Sequence, residues 1–480
     1  MYRIAVIGLG PSGISTLLEL YSTWRRLECG RQVLIDCFEE SHAVGGRSFT
    51  GAHSWHLVNM PASEMILHKG LDEKILREAD SGILNVIEEG GYISRRTYGG
   101  YLEEIFSALR RVALTEDSFH IQVSLGCKVR SVVRSFRGDY QVNGAAGKGY
   151  ESVICASGGS GGEIFQNFDT HCYSEDVLDI PGRAKVLILG TSLSAVDTLL
   201  TLRQQGHQGQ VDAVSRTRSF PSARSNRPIS ADTRSEMYQH FSSAGLITWK
   251  FFVESLSCFA HSAPDYPHQK QKIRYPWLGG LDWQMAASLD FYNSGRPLVQ
   301  SYLDATGPYF DQIWQKMDSR SRSNLAGKYS SKWSMVRHSM PARNAEILYR
   351  MSSSGQLRSG RFVRRSSSNE IWACFGAKES LSKYRYDFVV DATGGGAAKL
   401  PKFLDSLRDA GVVEAGIYGG VKINPLTCET RSMDGGETGV FALGALARSG
   451  LYYVNSIEMI KICARRISGR IGGAWKEGGR

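Results

Sequence analysis

Within its first thirteen residues the chain commits to a strand, a glycine turn and the start of a helix. Tyr2–Ile7 is a short apolar run, GLGPSG occupies 8–13, and a helical pattern continues to about Arg26. The next apolar run, QVLIDCF, predicts a second strand that ends at Glu39. Strand, turn, helix and strand in that order restrict the fold to a parallel βαβ unit. The glycines have separate duties. Gly8 permits the tight turn, Gly10 lets the backbone approach a pyrophosphate, and Gly13 lets the helix pack close to the strand. Pro11 and Ser12 open a helix whose free N–H groups meet phosphates. Glu39 is placed to accept hydrogen bonds from an adenosine ribose, and its charge disfavours a 2′-phosphate there.

The scheme recurs. KVLILG at 185–190 predicts a buried strand, TSLSAVDTLLTL a helix, and QVDAVS a strand ending at Ser215. The second turn, Gly190, Thr191, Ser192, Leu193 and Ser194, keeps the first glycine, with Ser192 and Ala195 where further glycines are expected. Small residues still allow close approach. The strand ends in Ser215-Arg216 rather than in an acid, and Arg216, with Arg218 near it, suits a 2′-phosphate. One site selects against that phosphate and the other for it. The two-unit layout makes FAD the natural occupant of the first and NADPH of the second. Gly45 and Gly46, in HAVGGRSF after Glu39, predict another close backbone approach with the Arg47 charge beside it.

The rest organises around these units. The segment 99–112 predicts an amphipathic helix. FHIQVS, KVRSVVRSF and DYQVNG predict a three-stranded meander holding Val129, which joins the cofactor-binding candidates. Strands SVICASGG at 152–159 and DFVVDATGGG at 387–396 each end in a small residue and glycine. The fold class expected is α/β, with two dinucleotide-binding, Rossmann-like domains, the FAD domain discontinuous, and a helical insertion. The boundaries are 1–165 for the first part of the FAD domain, 180–227 with about 331–375 for the NADPH domain, 228–330 for the insertion, and 376–480 for the FAD return. The stretch 228–350 holds five of the nine tryptophans, which fit the core of a helical insertion better than a substrate cap. SRSRSN at 319–324 reads as a loop.

Several classes are excluded. A net charge of +10 makes nucleic acid worth testing, and VSRTRSFPSARSNR at 214–227 has four arginines and no acid. No zinc-finger, helix-turn-helix or RNP signature accompanies it, so no nucleic-acid partner is expected. GAAGKG at 144–149 is too short for a phosphate loop and has no hydroxyl after Lys148. The nine cysteines include no CxxC pair, which argues against zinc, disulfides and a dithiol centre. No apolar run approaches the roughly 18–20 residues of a spanning helix. The N-terminal strand leaves no room for a signal peptide, so a cytoplasmic protein is expected, with no membrane partner and homo-oligomerisation left open.

On these residues the chain resembles the class B flavin monooxygenases, the group of the flavin-containing monooxygenases and the ornithine and lysine N-hydroxylases. It is nearest to a bacterial family of FAD/NAD(P)-binding proteins. The stretches that carry the resemblance are WHLVNMPASEM at 55–65, RRTYGGYLEEIF at 95–106, GTSLSAVD at 190–197, RHSMPARNAEIL at 337–348 and VFALGALARSGLYYVNSIEMI at 440–460. The resemblance implies that NADPH reduces the flavin and that O₂ then gives a C4a-(hydro)peroxyflavin. That species would oxygenate a small nucleophile by N- or S-oxidation or hydroxylation. Asn59 would be catalytic, bonding the cofactor or its oxygenated form, although it also reads as a turn residue before Pro61. Gly444, Leu451 and Tyr452 would line the closing FAD segment. This chain departs from the pattern at Gly444-Ala445, where the family has Gly-Asp, and in a partial fingerprint at Phe165, Asn167 and His171. The substrate is not legible; arginines around 216–234 and 358–365 are compatible with an acidic one. Two alternatives stay open: an FAD-dependent oxidoreductase or oxidase without oxygen insertion, and a non-catalytic flavin redox sensor.

Overall fold

The computed structural model describes residues 1–28, 30–78, 82–89, 91–144, 148–158, 170–172, 175–226, 229–262, 281–293, 299–367, 369–375, 381–393 and 400–477. The chain forms two compact units. One comprises Met1–Ala52, Pro61–Gly161 and Ala397–Arg480, the other His53–Met60 and Gly162–Gly396.

The strands are β1 (Tyr2–Ile7), β2 (Val33–Phe38), β3 (Phe119–Ser124), β4 (Val132–Arg134), β5 (Tyr140–Val142), β6 (Ser152–Cys155), β7 (Thr170–His171), β8 (Val186–Leu189), β9 (Val211–Ser215), β10 (Leu357–Ser367), β11 (Glu370–Phe375), β12 (Ser382–Arg385), β13 (Phe388–Asp391), β14 (Glu429–Arg431) and β15 (Glu437–Ala442). The first unit is built on a six-stranded sheet, β14-β15-β6-β1-β2-β3. It is parallel except for the β14–β15 pair. Parallel strands are covered on both faces, and Ile4, Ala5, Val6 and Ile35 are fully buried. The return segment completes this sheet, with Val440, Phe441 and Ala442 of β15 opposite Val153, Ile154 and Cys155 of β6. The last helix, Ile457–Glu477, lies along the first, Pro11–Arg26. Thr23 donates to Ser468 at 3.2 Å, and the Trp475 ring meets Tyr2 edge-on at 6.3 Å.

The meander expected between 119 and 143 is not formed. Strand β3 pairs in parallel with β2, and only β4 and β5 pair antiparallel. The helix Arg95–Leu114 is the cause, since it is a crossover that delivers Phe119 to the edge of the parallel sheet.

The second unit holds a seven-stranded sheet, β12-β11-β10-β9-β8-β13-β7. Strand β13 lies between β8 and β7, whereas the sequence-based boundary placed everything from 376 onward in the FAD return. It is the second unit's counterpart of β6, so the return begins only at Ala397. The insertion is helical: Ala231–Ser243, Trp249–Ser262, Leu281–Asn293, Val299–Ala305, Phe310–Lys316, Ser319–Ala326 and Ser330–Arg337. SRSRSN is therefore helix and not loop. Asp318 caps it by accepting from the Ser321 N–H at 2.7 Å, which satisfies one of the free donors of the first turn. Trp314 and Trp333 are buried core residues, as expected, and Trp249 stacks on Tyr329. Trp277 lies outside the described residues.

Arg358 is an anchor of this sheet. It grips the fully buried Asp212 with two bonds of 2.8 and 2.7 Å and lies over the Phe375 ring, while the Tyr386 hydroxyl donates to the same carboxylate. Asp212 is thus compensated inside the fold, and Arg358 is spent on it.

In the first unit, Asp72 is buried and accepts from the Tyr101 hydroxyl at 2.5 Å and the His68 N–H at 3.0 Å. Its other oxygen makes no hydrogen bond among the described residues. Burial raises its pKa despite those bonds. A carboxyl with a raised native pKa holds its proton more tightly folded than unfolded, so its contribution falls as pH rises through that pKa. Asp72→Asn should therefore gain stability relative to the parent between pH 4 and pH 8. Urea midpoints for both proteins at the two pH values check this, and a difference independent of pH would refute it.

Candidate functional site

The first turn is shaped by steric closeness. Gly8 has φ +100°, and a Cβ there would lie 2.6 Å from the Ala156 carbonyl oxygen. A Cβ on Gly13 would lie 2.0 Å from the Gly8 carbonyl oxygen. Gly10 is the N-cap, Pro11 follows inside the helix, and no side chain caps or charges the first turn. The N–H groups of this end are left for an outside acceptor. Gly45 donates to the Leu9 carbonyl at 2.8 Å, and a Cβ on Gly46 would lie 3.3 Å from Gly10 Cα. The return segment arrives at the same place. Gly444, at φ +62°, sits so that a Cβ would meet Ser12 Oγ at 3.3 Å.

Glu39 folds back on this turn. One carboxylate oxygen accepts from the Leu9 N–H at 2.7 Å and the other from the Ser41 N–H at 2.9 Å. A carboxylate has further lone pairs, so these bonds orient it without exhausting it. Cys127 donates to the Glu39 carbonyl at 2.8 Å, which brings the buried Val129 two residues from the strand end. The structure thus gathers Gly8, Gly10, Pro11, Ser12, Gly13, Glu39, Gly46 and Gly444. Arg47 is exposed at the start of the short helix Arg47–Thr50. Leu451 and Tyr452 are buried, and the Arg448 guanidinium lies 4.9 Å over the Tyr452 ring.

The second turn repeats the close contacts of the first. Gly190 has φ +114°, and its Cβ would lie 2.4 Å from the Ala392 carbonyl oxygen. Gly190 donates to Val214 at 2.8 Å as Gly8 donates to Phe38 at 2.8 Å. Ser192 is the N-cap without a side-chain cap bond, Leu193 and Ser194 open the helix Leu193–Gln204, and its first turn also lacks an acid. Thr191 is occupied in holding the turn, since its hydroxyl donates to the Ser219 carbonyl at 2.8 Å and lies 2.9 Å from Ser215 Oγ. Register places Ser215 where the first unit has Glu39, and Arg216 follows it, exposed, with Nη2 3.4 Å from Ser331 Oγ. Arg218 holds φ +52°, its N–H bonded to Ser215 Oγ at 2.8 Å.

Asn59 belongs to the second unit, whereas the sequence-based boundary put it in the first. Its carbonyl lies 3.4 Å from Arg224 Nη1. Arg224 and Arg337, both buried, share Asp304, Arg224 at 2.8 Å. Nothing in the sequence marks Arg224 out, because a buried ion pair among distant segments has no sequence signal. Phe165 and Asn167, and the side chain of His171, lie outside the described residues. Among the described residues no group of three His, Cys, Asp or Glu side chains could hold a metal, and no helix is long and apolar enough to cross a membrane.

Residues 5–158 match a protein family described as FAD-NAD(P)-binding. The solved structures of known proteins extend the likeness to the whole chain. An ornithine hydroxylase from Pseudomonas aeruginosa has a TM-score of 0.56 at 14% identity, covering 98% of this chain and 99% of its own. The ornithine N-hydroxylase of Kutzneria sp. 744 has a TM-score of 0.57 at 11% identity, and an L-lysine 6-monooxygenase from Pseudomonas syringae 0.56 at 13%, each covering both chains completely. The chain shares their fold. The Kutzneria structure is described with reduced FAD, NADP⁺ and L-ornithine. No curated protein sequence matches.

The two turns carry a stability prediction. Gly190→Ala puts a methyl group into the Ala392 carbonyl at a strained φ and should cost about 1–3 kcal/mol. Ser192→Gly, at a cap without a side-chain bond, should cost no more than a few tenths of a kcal/mol. Denaturant midpoints of the two variants decide between these values, and equal losses would refute the contrast.

Proposed function

We propose that this chain is an FAD-dependent, NADPH-using monooxygenase that oxygenates a small nucleophilic substrate with O₂ by N- or S-oxidation or hydroxylation. The observation that carries the reading is a pair of turns with matching close contacts and opposite strand ends, Glu39 against Ser215-Arg216, on a fold shared end to end with ornithine and lysine hydroxylases.

The residues of the first turn fit FAD. A cradle that admits no side chain at Gly8 or Gly13, and an uncapped helix end, suit a pyrophosphate, with Glu39 at the strand end beside the turn as the acceptor for a ribose. Val129, Gly46, Arg47, Gly444, Leu451 and Tyr452 complete this set. Bound FAD would supply the redox chemistry, accepting a hydride and activating oxygen. In the second unit Gly190 to Ser194 would hold the coenzyme's pyrophosphate, and Arg216 with Arg218 would hold its 2′-phosphate by charge-assisted bonds. Asn59 would offer its amide to the cofactor or its oxygenated form, the role that the resemblance implies.

The purified protein should be yellow, and anaerobic NADPH should bleach it. Admitting O₂ with a panel of amines, amino acids and sulfides should then give a product heavier by one oxygen atom. No bleaching overturns the reading. Bleaching followed only by hydrogen peroxide release, across the panel, selects the oxidoreductase or oxidase without oxygen insertion. Arg216→Ala should weaken NADPH binding by about 1.5–3 kcal/mol, the range for bonds to charged groups, and leave NADH use nearly unchanged. Titration of both coenzymes checks it; equal losses for both would refute the assignment.

A further inference from the structure

The segment His53–Met60, which carries Asn59, belongs to the second unit although Ala52 before it and Pro61 after it belong to the first. Its attachment within the second unit is specific. His56 is buried, and its Nδ1 accepts from the His53 N–H at 3.2 Å. Nε2 is thereby the protonated nitrogen, and it lies 2.8 Å from Thr201 Oγ1 and 3.1 Å from the Asp197 carbonyl. Trp55 Nε1 donates to the same hydroxyl at 3.1 Å, and Thr201 Oγ1 passes its own proton to the Asp197 carbonyl at 3.1 Å. At the other end of the segment Arg224 reaches the Asn59 carbonyl, held from behind by Asp304, which also receives Gln300 Nε2 at 2.6 Å. Asp197 and Thr201 lie on the helix Leu193–Gln204, which the Gly190–Ser194 turn opens. A helix is rigid over the roughly 12 Å from Leu193 to Thr201.

We propose that His56 is a positioning residue for Asn59. It fastens the segment to the helix that the second dinucleotide turn opens, so that coenzyme binding at that turn also fixes Asn59. The inference rests on the monooxygenase reading above. It assigns the placing of Asn59 to the coenzyme-binding unit and not to the flavin-binding one.

Hydrogen exchange of the FAD-loaded protein with and without NADP⁺ tests it first. NADP⁺ should slow exchange of amides in 190–195 and also in 53–60. In His56→Phe, which keeps a ring but no nitrogen, protection at 190–195 should persist while that at 53–60 is lost. The NADP⁺ Kd should stay within about twofold, and, with a panel substrate that the parent oxygenates, the ratio of hydrogen peroxide to oxygenated product should rise about five- to tenfold, the scale of one buried hydrogen bond. His56→Gln, whose amide N–H replaces Nε2–H, should restore both. Thr201→Val removes the partner at unchanged volume and is read in the same way if His56→Phe does not fold. Exchange in 53–60 that ignores NADP⁺ in the parent protein overturns the inference. So does a ratio of peroxide to oxygenated product unchanged by Thr201→Val. If the parent is not bleached by NADPH, the monooxygenase reading fails by itself, and the exchange data still decide whether His56 links the turn to the segment.

Discussion

At Gly8 and again at Gly190 the backbone passes so near a neighbouring carbonyl oxygen, that of Ala156 or Ala392, that a side chain has no room. The contact joins the end of the opening strand to the end of the strand beside it, β6 in one unit and β13 in the other. It sets where each helix begins and therefore where its unpaired N–H groups point. The remaining features of the two turns follow from it. Gly13 or Ala195 lets the helix lie against the strand, and Phe38 or Val214 receives the glycine N–H.

Electrostatics then separates two units that share one backbone plan. Neither helix carries an acid in its first turn, so both ends keep their partial positive charge. The difference lies one strand away. The Glu39 carboxylate bonds back to Leu9, giving the first site a fixed anion. Ser215 occupies the equivalent place and binds Thr191 and Arg218 as a neutral hydroxyl, and the charge passes to the exposed Arg216. The arginine-rich stretch that suggested a nucleic-acid surface divides into unlike roles. Arg216 stands at a strand end, and Arg224 is a buried partner of Asp304.

Much of this was legible in the sequence, because glycine turns and buried parallel strands are local patterns. Tyr2–Ile7 with Gly8, Val186–Leu189 with Gly190, and the acid or arginine after the next strand could be read from spacing alone. What could not be read depends on which strands pair. FHIQVS has the alternation of a hairpin strand, yet it is claimed by the edge of the parallel sheet, and FVVD is claimed by β8. SRSRSN looked like a loop because its helix is set by a cap one residue outside it. The allegiance of Asn59 to the second unit rests on His56, Thr201 and Arg224, residues distant in sequence and joined by hydrogen bonds that leave no periodic trace.

The pairing of residues 440–442 with 153–155 has a consequence for the order of assembly. The sheet of the first unit lacks β14, β15 and the closing helix until the final stretch of chain is made, whereas the long second-unit segment is complete by Gly396. During synthesis from the N-terminus, the second unit can therefore close while the first still exposes the β6 edge and one face of its opening helix. Long-range parallel pairing is slow, and unpaired edges aggregate. The last eighty or so residues thus close the sheet of the first unit, and a chain truncated there would retain a folded second unit and an open half-sheet in the first.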